Sequence, residues 1–177
     1  MTYRTCLWEI YLEELKEEKR RDGFGINPEE VRKNLIKLIE LSREYNIPTL
    51  RNAFVSDAEE NLWLDERKLD EYYGIFIFSH NPPYMAIKPE KFRKESVIRS
   101  LKKDGIKNVI LCGCSASQCV TDRTESLYFN FNVIIVKDAI YDRTKKDYEC
   151  SLKRFEELDA EILTVKELEN RLKKSMI

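Results

Sequence analysis

The sequence predicts a three-layer α/β/α sandwich around a mostly parallel, Rossmann-like sheet. Three observations lead there. Short apolar runs rich in β-branched residues, KNVILCG from Lys107 and NVIIVKDA from Asn132, read as buried strands. Segments with apolar residues at helical spacing separate runs of this kind. The alternation recurs to the end of the chain, which calls for right-handed crossovers and a sheet covered on both faces.

Taken in order, YRTCLWE near the start is a strand. NPEEVRKNLIKLIELSREYN is a helix, with Asn27 as cap, Pro28 at the first helical position, and Val31, Leu35, Leu38, Ile39 and Leu41 as the apolar stripe. IPTLRNAF follows as a strand. Asp57 to Tyr73 is charged and reads as a loop with a helical turn, and GIFIFSHNPPYMAIKP reads as a hairpin or a strand with a detour around Asn81-Pro82-Pro83. Between the two clearest strands, SQCVTDRTESLYFN is a helix with Ser117 as its N-cap and Val120, Thr124, Leu127 and Phe131 at helical spacing. KKDYECSLKRFEEL, the strand AEILTV and the helix VKELENRLKKSMI complete the alternation.

The 177 residues fit one domain, 1–177, with room for a full core. Thirty-one basic and 32 acidic side chains give a net charge of -1, so no bulk field favours nucleic acid or an anionic membrane. No apolar stretch approaches the roughly 20 residues that cross a bilayer. The N-terminus carries its charge after the apolar part, so a cytoplasmic location is expected. Three of the five cysteines, Cys112, Cys114 and Cys119, crowd into eight residues, which fits reduced thiols better than a disulfide scaffold.

The run LCGCSASQCV, at the carboxyl end of a predicted strand, carries the chemistry. Ligands and reacting groups in open α/β sheets collect at that edge. A cysteine in the first turn of a helix faces amide N–H groups and the positive end of the helix dipole, which favour a thiolate. A nucleophilic thiol also needs a base or a charge partner, and strand ends would bring Glu9 and Lys88 to the same edge. Glu13 and Glu14 are alternatives to Glu9. Cys112 and Cys114, alternating with Gly113, read as packing residues rather than metal ligands, and His80 as a hydrogen-bonded loop residue.

GCSASQCV resembles the G-V-A-T-D-x-C-V signature of the isochorismatase-like cysteine hydrolases. The likeness extends downstream through TDRTESLYFNFNVIIVKDAIYDRTKKDYECSLKRFEELDAEILTVKEL and upstream through KPEKFRKESVIRSLKKDGIKNVILCG. The resemblance implies an Asp/Lys/Cys triad in which the carboxylate takes the thiol proton, the lysine supports the charges, and the thiolate attacks a small, often planar substrate. Cys119 matches the nucleophile. Lys88 is the best match for the lysine, with Lys91 second. Glu9 stands in LWEIY where the family has Asp, with a side chain one methylene longer. The resemblance places the oxyanion on the turn carrying Ser115, Gln118 and Cys119, and a cis peptide at Cys114-Ser115.

Nicotinamidases of this superfamily hold a metal with an Asp and two His residues after the second strand. The equivalent stretch here, RNAFVSDAEEN, has no histidine and His80 is the only one in the chain, so no metal or other cofactor is expected. The expected function is a metal-independent cysteine hydrolase acting on a small amide-like or related molecule, in a homo-oligomer. The alternative is a catalytically degenerate member serving as a small-ligand binder or scaffold. Thiol redox chemistry through Cys114 and Cys119 ranks last, because the pair lacks C-x-x-C spacing.

Overall fold

The computed structural model describes residues 5–10, 27–53, 74–78, 85–87 and 94–174. Its sheet has seven strands: β1 (Thr5–Ile10), β2 (Thr49–Ala53), β3 (Gly74–Phe78), β4 (Met85–Ile87), β5 (Asn108–Cys114), β6 (Asn132–Tyr141) and β7 (Glu161–Leu163). In space the order is β4-β3-β2-β1-β5-β6-β7. The five strands from β2 to β7 are parallel, and β3 and β4 add to one edge in antiparallel pairings. The mostly parallel sheet takes the form the sequence predicts, and of the two readings of GIFIFSHNPPYMAIKP the antiparallel pairing of β3 with β4 favours the hairpin.

The helices are α1 (Pro28–Glu44), α2 (Lys94–Lys103), α3 (Thr121–Leu127), α4 (Lys145–Glu157) and α5 (Val165–Lys174). Alternation along the strands divides the apolar residues between two faces. Leu7, Ile110, Cys112, Ile134 and Val136 pack with Val31, Leu35 and Leu38 of α1 and Leu168 of α5. Cys6, Trp8, Ile10, Val109, Leu111, Val133 and Ile135 pack with Val97 and Leu101 of α2, Leu127 of α3 and Phe155 of α4. Two cores on opposite faces of one sheet make the three layers.

Local chemistry sets the helix starts. The Asn27 carboxamide oxygen accepts the Glu29 N–H at 3.1 Å, and Pro28 stands at the first helical position. Thr144 caps α4, with the Asp147 N–H donating to the Thr144 hydroxyl at 3.0 Å and that hydroxyl donating to the Asp147 carboxylate at 2.7 Å.

Strand β6 contains the irregularity that matters for function. Leu111 pairs with Ile135, but Gly113 pairs with Ile140, so two residues of advance along β5 correspond to five along β6. The extra residues are held from three sides. The Asp138 carbonyl accepts the Asn34 side-chain amide of α1 at 2.9 Å, the Asp138 carboxylate accepts the Val165 N–H at 2.9 Å, and the Lys137 carbonyl accepts the Tyr148 hydroxyl at 2.7 Å. The detour ends in register with Cys114 opposite Tyr141, which delivers the next residue, Asp142, to the turn that follows β5.

Candidate active site

Cys119 sits where β5 gives way to the next helix. The chain leaves the strand through a cis peptide bond at Cys114-Ser115, as the resemblance implied. It then enters one turn of π-helix at Ala116–Val120, which continues into α3. The N-cap is therefore Ser115, not Ser117 as the sequence suggested. The reason lies in the hydrogen bonds: the Val120 and Gln118 N–H groups both donate to the Ser115 carbonyl, at 3.1 and 3.3 Å, while the Ser117 N–H turns to a side chain outside the helix.

That side chain is Asp142, which sequence reasoning missed. Its Oδ2 accepts the Ser117 N–H at 2.6 Å and the Ser115 hydroxyl at 3.2 Å, and its Oδ1 accepts the Arg143 N–H at 2.8 Å. The residue is 4% exposed. Of the expected oxyanion residues, Ser115 is committed through its side chain to Asp142, Gln118 is exposed, and Cys119 is partly exposed.

The cysteines separate by environment. Cys6, Cys112 and Cys114 are buried, and burial pushes the Cys6 thiol up to about 12. Cys112 donates weakly to the Trp8 carbonyl at 3.9 Å. Cys119 is half-buried against the Trp8 side of the core, so it alone of the LCGCSASQCV cysteines keeps access to solvent. Cys150, on α4, is exposed.

Glu9 is fully buried at the carboxyl end of β1, in register with Cys112 on one side and Arg51 on the other. It lies on the Leu7 face of the strand, opposite to Trp8 and Ile10. One residue further, Ile10 pairs with Gly113, whose φ of +113° lets the two backbones approach closely. Glu9 and the Cys119 turn therefore end adjacent parallel strands at the same edge. Strand β4 runs in the β1 direction, so its end at Ile87 points to that edge as well. Lys88, Lys91, His80, Glu13 and Glu14 lie outside the described residues.

Sequence reasoning also passed over Arg123, one helical turn beyond Cys119. It is 9% exposed, with its guanidinium carbon 5.1 Å from the centroid of the Trp8 ring. The available signal was a basic residue at helical spacing from the apolar Val120 and Leu127. Among the described residues no three His, Cys, Asp or Glu side chains group as a metal cluster, and no helix is long and apolar enough to cross a membrane.

Comparison with known proteins identifies the family and the fold. The isochorismatase domain model matches residues 26–167. The chain belongs to the isochorismatase domain family. The match takes in α1 through the start of α5, including Cys119, and begins after β1 and Glu9. Solved structures with the same fold include the YcaC gene product of Escherichia coli, an octameric hydrolase of unknown specificity. It shares 18% identity over 90% of this chain and 74% of its own, with a TM-score of 0.64. YcaC from Pseudomonas aeruginosa, solved with hexane-2,5-diol and covalent acrylamide, has 18% identity over 93% of this chain and 78% of its own, with a TM-score of 0.65. A cysteine hydrolase from Pseudomonas syringae pv. phaseolicola has 14% identity over 97% and 93%, with a TM-score of 0.63. No curated protein matches the sequence.

Proposed function

We propose that this isochorismatase-family protein is a metal-independent cysteine hydrolase of small amide-like or related molecules, with Cys119 as nucleophile. The observation that carries the reading is the placement of Cys119, the half-exposed thiol of its cluster, in the first helical turn at the carboxyl edge of the sheet. The Cys119 sulfur attacks the substrate carbonyl carbon, a C–S bond forms, and the carbonyl electron pair moves to oxygen. Glu9 receives the thiol proton and Lys88 supports the developing charge. Collapse expels the amine with the proton that Glu9 holds, and water then hydrolyses the thioester.

The covalent acrylamide in the P. aeruginosa YcaC structure supports the choice of probe, because acrylamide is an electrophile that thiolates add to. The test has two arms. Acrylamide should label Cys119 at neutral pH, as read by peptide mass spectrometry. A panel of small amides and ureas should include one that the protein hydrolyses and Cys119→Ala does not. Absence of Cys119 labelling while Cys150 reacts would overturn the reading. We also propose a homo-oligomer, supported by the octameric state of the E. coli relative, and sedimentation velocity reads it directly.

The second reading, a non-catalytic ligand binder or scaffold, is favoured by Glu9 standing where the family has Asp. About 1 Å of misplacement can cost roughly a hundredfold in rate. Glu9→Asp separates the two: a rise in turnover supports the hydrolase, and no turnover in either form supports the scaffold.

A further inference from the structure

We propose that Asp142 is a positioning residue for the nucleophile: its carboxylate fastens the Ser115–Ser117 turn and holds Cys119 as a thiol at rest, so that sulfur becomes anionic only as it attacks. This inference rests on Cys119 being the nucleophile.

The geometry is specific. The Asp142 carboxylate accepts three hydrogen bonds, one from the Ser117 N–H at 2.6 Å, one from the Ser115 hydroxyl at 3.2 Å and one from the Arg143 N–H at 2.8 Å. Ser117 is separated from Asp142 by 25 positions in sequence, so these bonds tie the end of β6 to the start of the nucleophile's helix. They exist because the β6 detour sets Tyr141 beside Cys114. The Ser117 N–H belongs to the first-turn amides that would otherwise face an anion. A carboxylate on that amide places a full negative charge where the helix end supplies about half a positive one. The turn is fixed, and its bias toward thiolate is cancelled.

Other charged or titratable groups around the turn come from each neighbouring element. They are Glu9 on β1, Cys112 and Cys114 on β5, Asp122 and Arg123 on α3, Arg143 before α4, Tyr148 on α4, and the Arg154–Glu125 ion pair joining α4 to α3 at 2.8 Å. None of these residues is altered in a variant that changes Asp142 alone. A shift at Cys119 in that variant is therefore attributable to Asp142.

The experiment follows iodoacetamide alkylation of each cysteine against pH by peptide mass spectrometry, in the whole protein, for wild type, Asp142→Asn and Asp142→Ser. Both variants keep an acceptor for the Ser117 N–H and remove the charge. Cys150, exposed on α4, is the internal control. Wild-type Cys119 should show an inflection at or above about 8.5, the value of an ordinary thiol. Asp142→Asn should lower it by about one pH unit and raise the rate at pH 7 by about threefold, since the gain in thiolate is offset by its lower nucleophilicity. The Cys150 profile should not move. A wild-type inflection well below 7 overturns the proposal, and this measurement needs no variant to fold. An unchanged Cys119 profile in the folded variants also overturns it, leaving Cys119 as a reactive nucleophile. A Cys119 that fails to react at any pH overturns both this inference and the hydrolase reading.

Discussion

Replacing Gly113 with alanine should destabilise the protein more than a glycine-to-alanine change ordinarily does. A Cβ added at Gly113 would lie 2.0 Å from the Ile10 carbonyl oxygen, 2.8 Å from its carbon and 2.9 Å from the Ile10 nitrogen. All three are backbone atoms of the neighbouring strand, so no side-chain rotation relieves the clash. Two costs add: an L-residue at φ +113° is strained by about 1–3 kcal/mol, and forcing β1 from β5 costs about 1–3 kcal/mol as overpacking does. A loss of about 4 kcal/mol is a large share of the roughly 5–15 kcal/mol that holds a domain together. It lowers the melting temperature by about 8–16 °C in a protein of this size. Gly105 supplies the control, since its φ is +73° and nothing lies within 4 Å of an added Cβ there. Gly105→Ala carries only the conformational cost, about 1–2 kcal/mol. Thermal unfolding followed by circular dichroism reads both variants. If Gly113→Ala melts no lower than Gly105→Ala, the close approach of β1 and β5 at the site is wrong.

Four further outcomes follow from the same structure. Thiol labelling of the folded protein at neutral pH should modify Cys150 and Cys119, whereas Cys6, Cys112 and Cys114 should react only after denaturation; early labelling of Cys6 would contradict the burial that pushes its thiol up to about 12. Glu169 accepts hydrogen bonds or ion pairs from Lys173, Lys37 and Lys166, which hold its carboxyl at about 2. Because the folded value lies below the unfolded one, its stabilisation is fully present above pH 4.5 and disappears as pH falls toward 2. Urea unfolding of Glu169→Gln across that window should depend less on pH than the wild type, and equal slopes would refute the linkage. Phe155→Ala, at a fully buried position between α4 and the sheet, should cost about 3–5 kcal/mol in the same assay. Thr144→Ala should cost about 1 kcal/mol by removing the α4 cap, a loss that Thr144→Ser restores.

The sequence made some elements legible because their signals are local. In α1, cap, first-turn proline and apolar stripe coincide, and Val31, Leu35, Leu38, Ile39 and Leu41 are all buried. Strands β5 and β6 announce themselves by β-branched runs that only a two-sided core accommodates. The cysteine trio sorted itself by the same logic, with Cys112 and Cys114 inside and Cys119 at the turn. What stayed hidden depends on contacts distant in sequence. NVIIVKDAIY reads as one strand, and nothing in its pattern marks the detour, which exists because α1, α4 and α5 donate to Lys137 and Asp138. The N-cap was misplaced by two residues because SASQ has no periodicity to set a boundary; Asp142, 25 positions away from Ser117, decides it. Arg123 looks like a solvated helix residue until the Trp8 ring is beneath it.

These hidden contacts alter the electrostatic argument for the site. From sequence, a cysteine at a helix start is acidified by amides and by a dipole end worth about half a charge. The fold adds a whole negative charge at Asp142 on one of those amides and a buried carboxylate at Glu9 on the adjacent strand. Against them it sets the cation of Arg123, one turn along the helix and sheltered over Trp8. On the proposal above, the half charge of the dipole does not outweigh Asp142 at the same amide, and the peptide dipoles alone do not hold the sulfur anionic. On the proposed hydrolase reading, a base must then take the thiol proton during attack, and the length of the Glu9 side chain is the variable that Glu9→Asp tests.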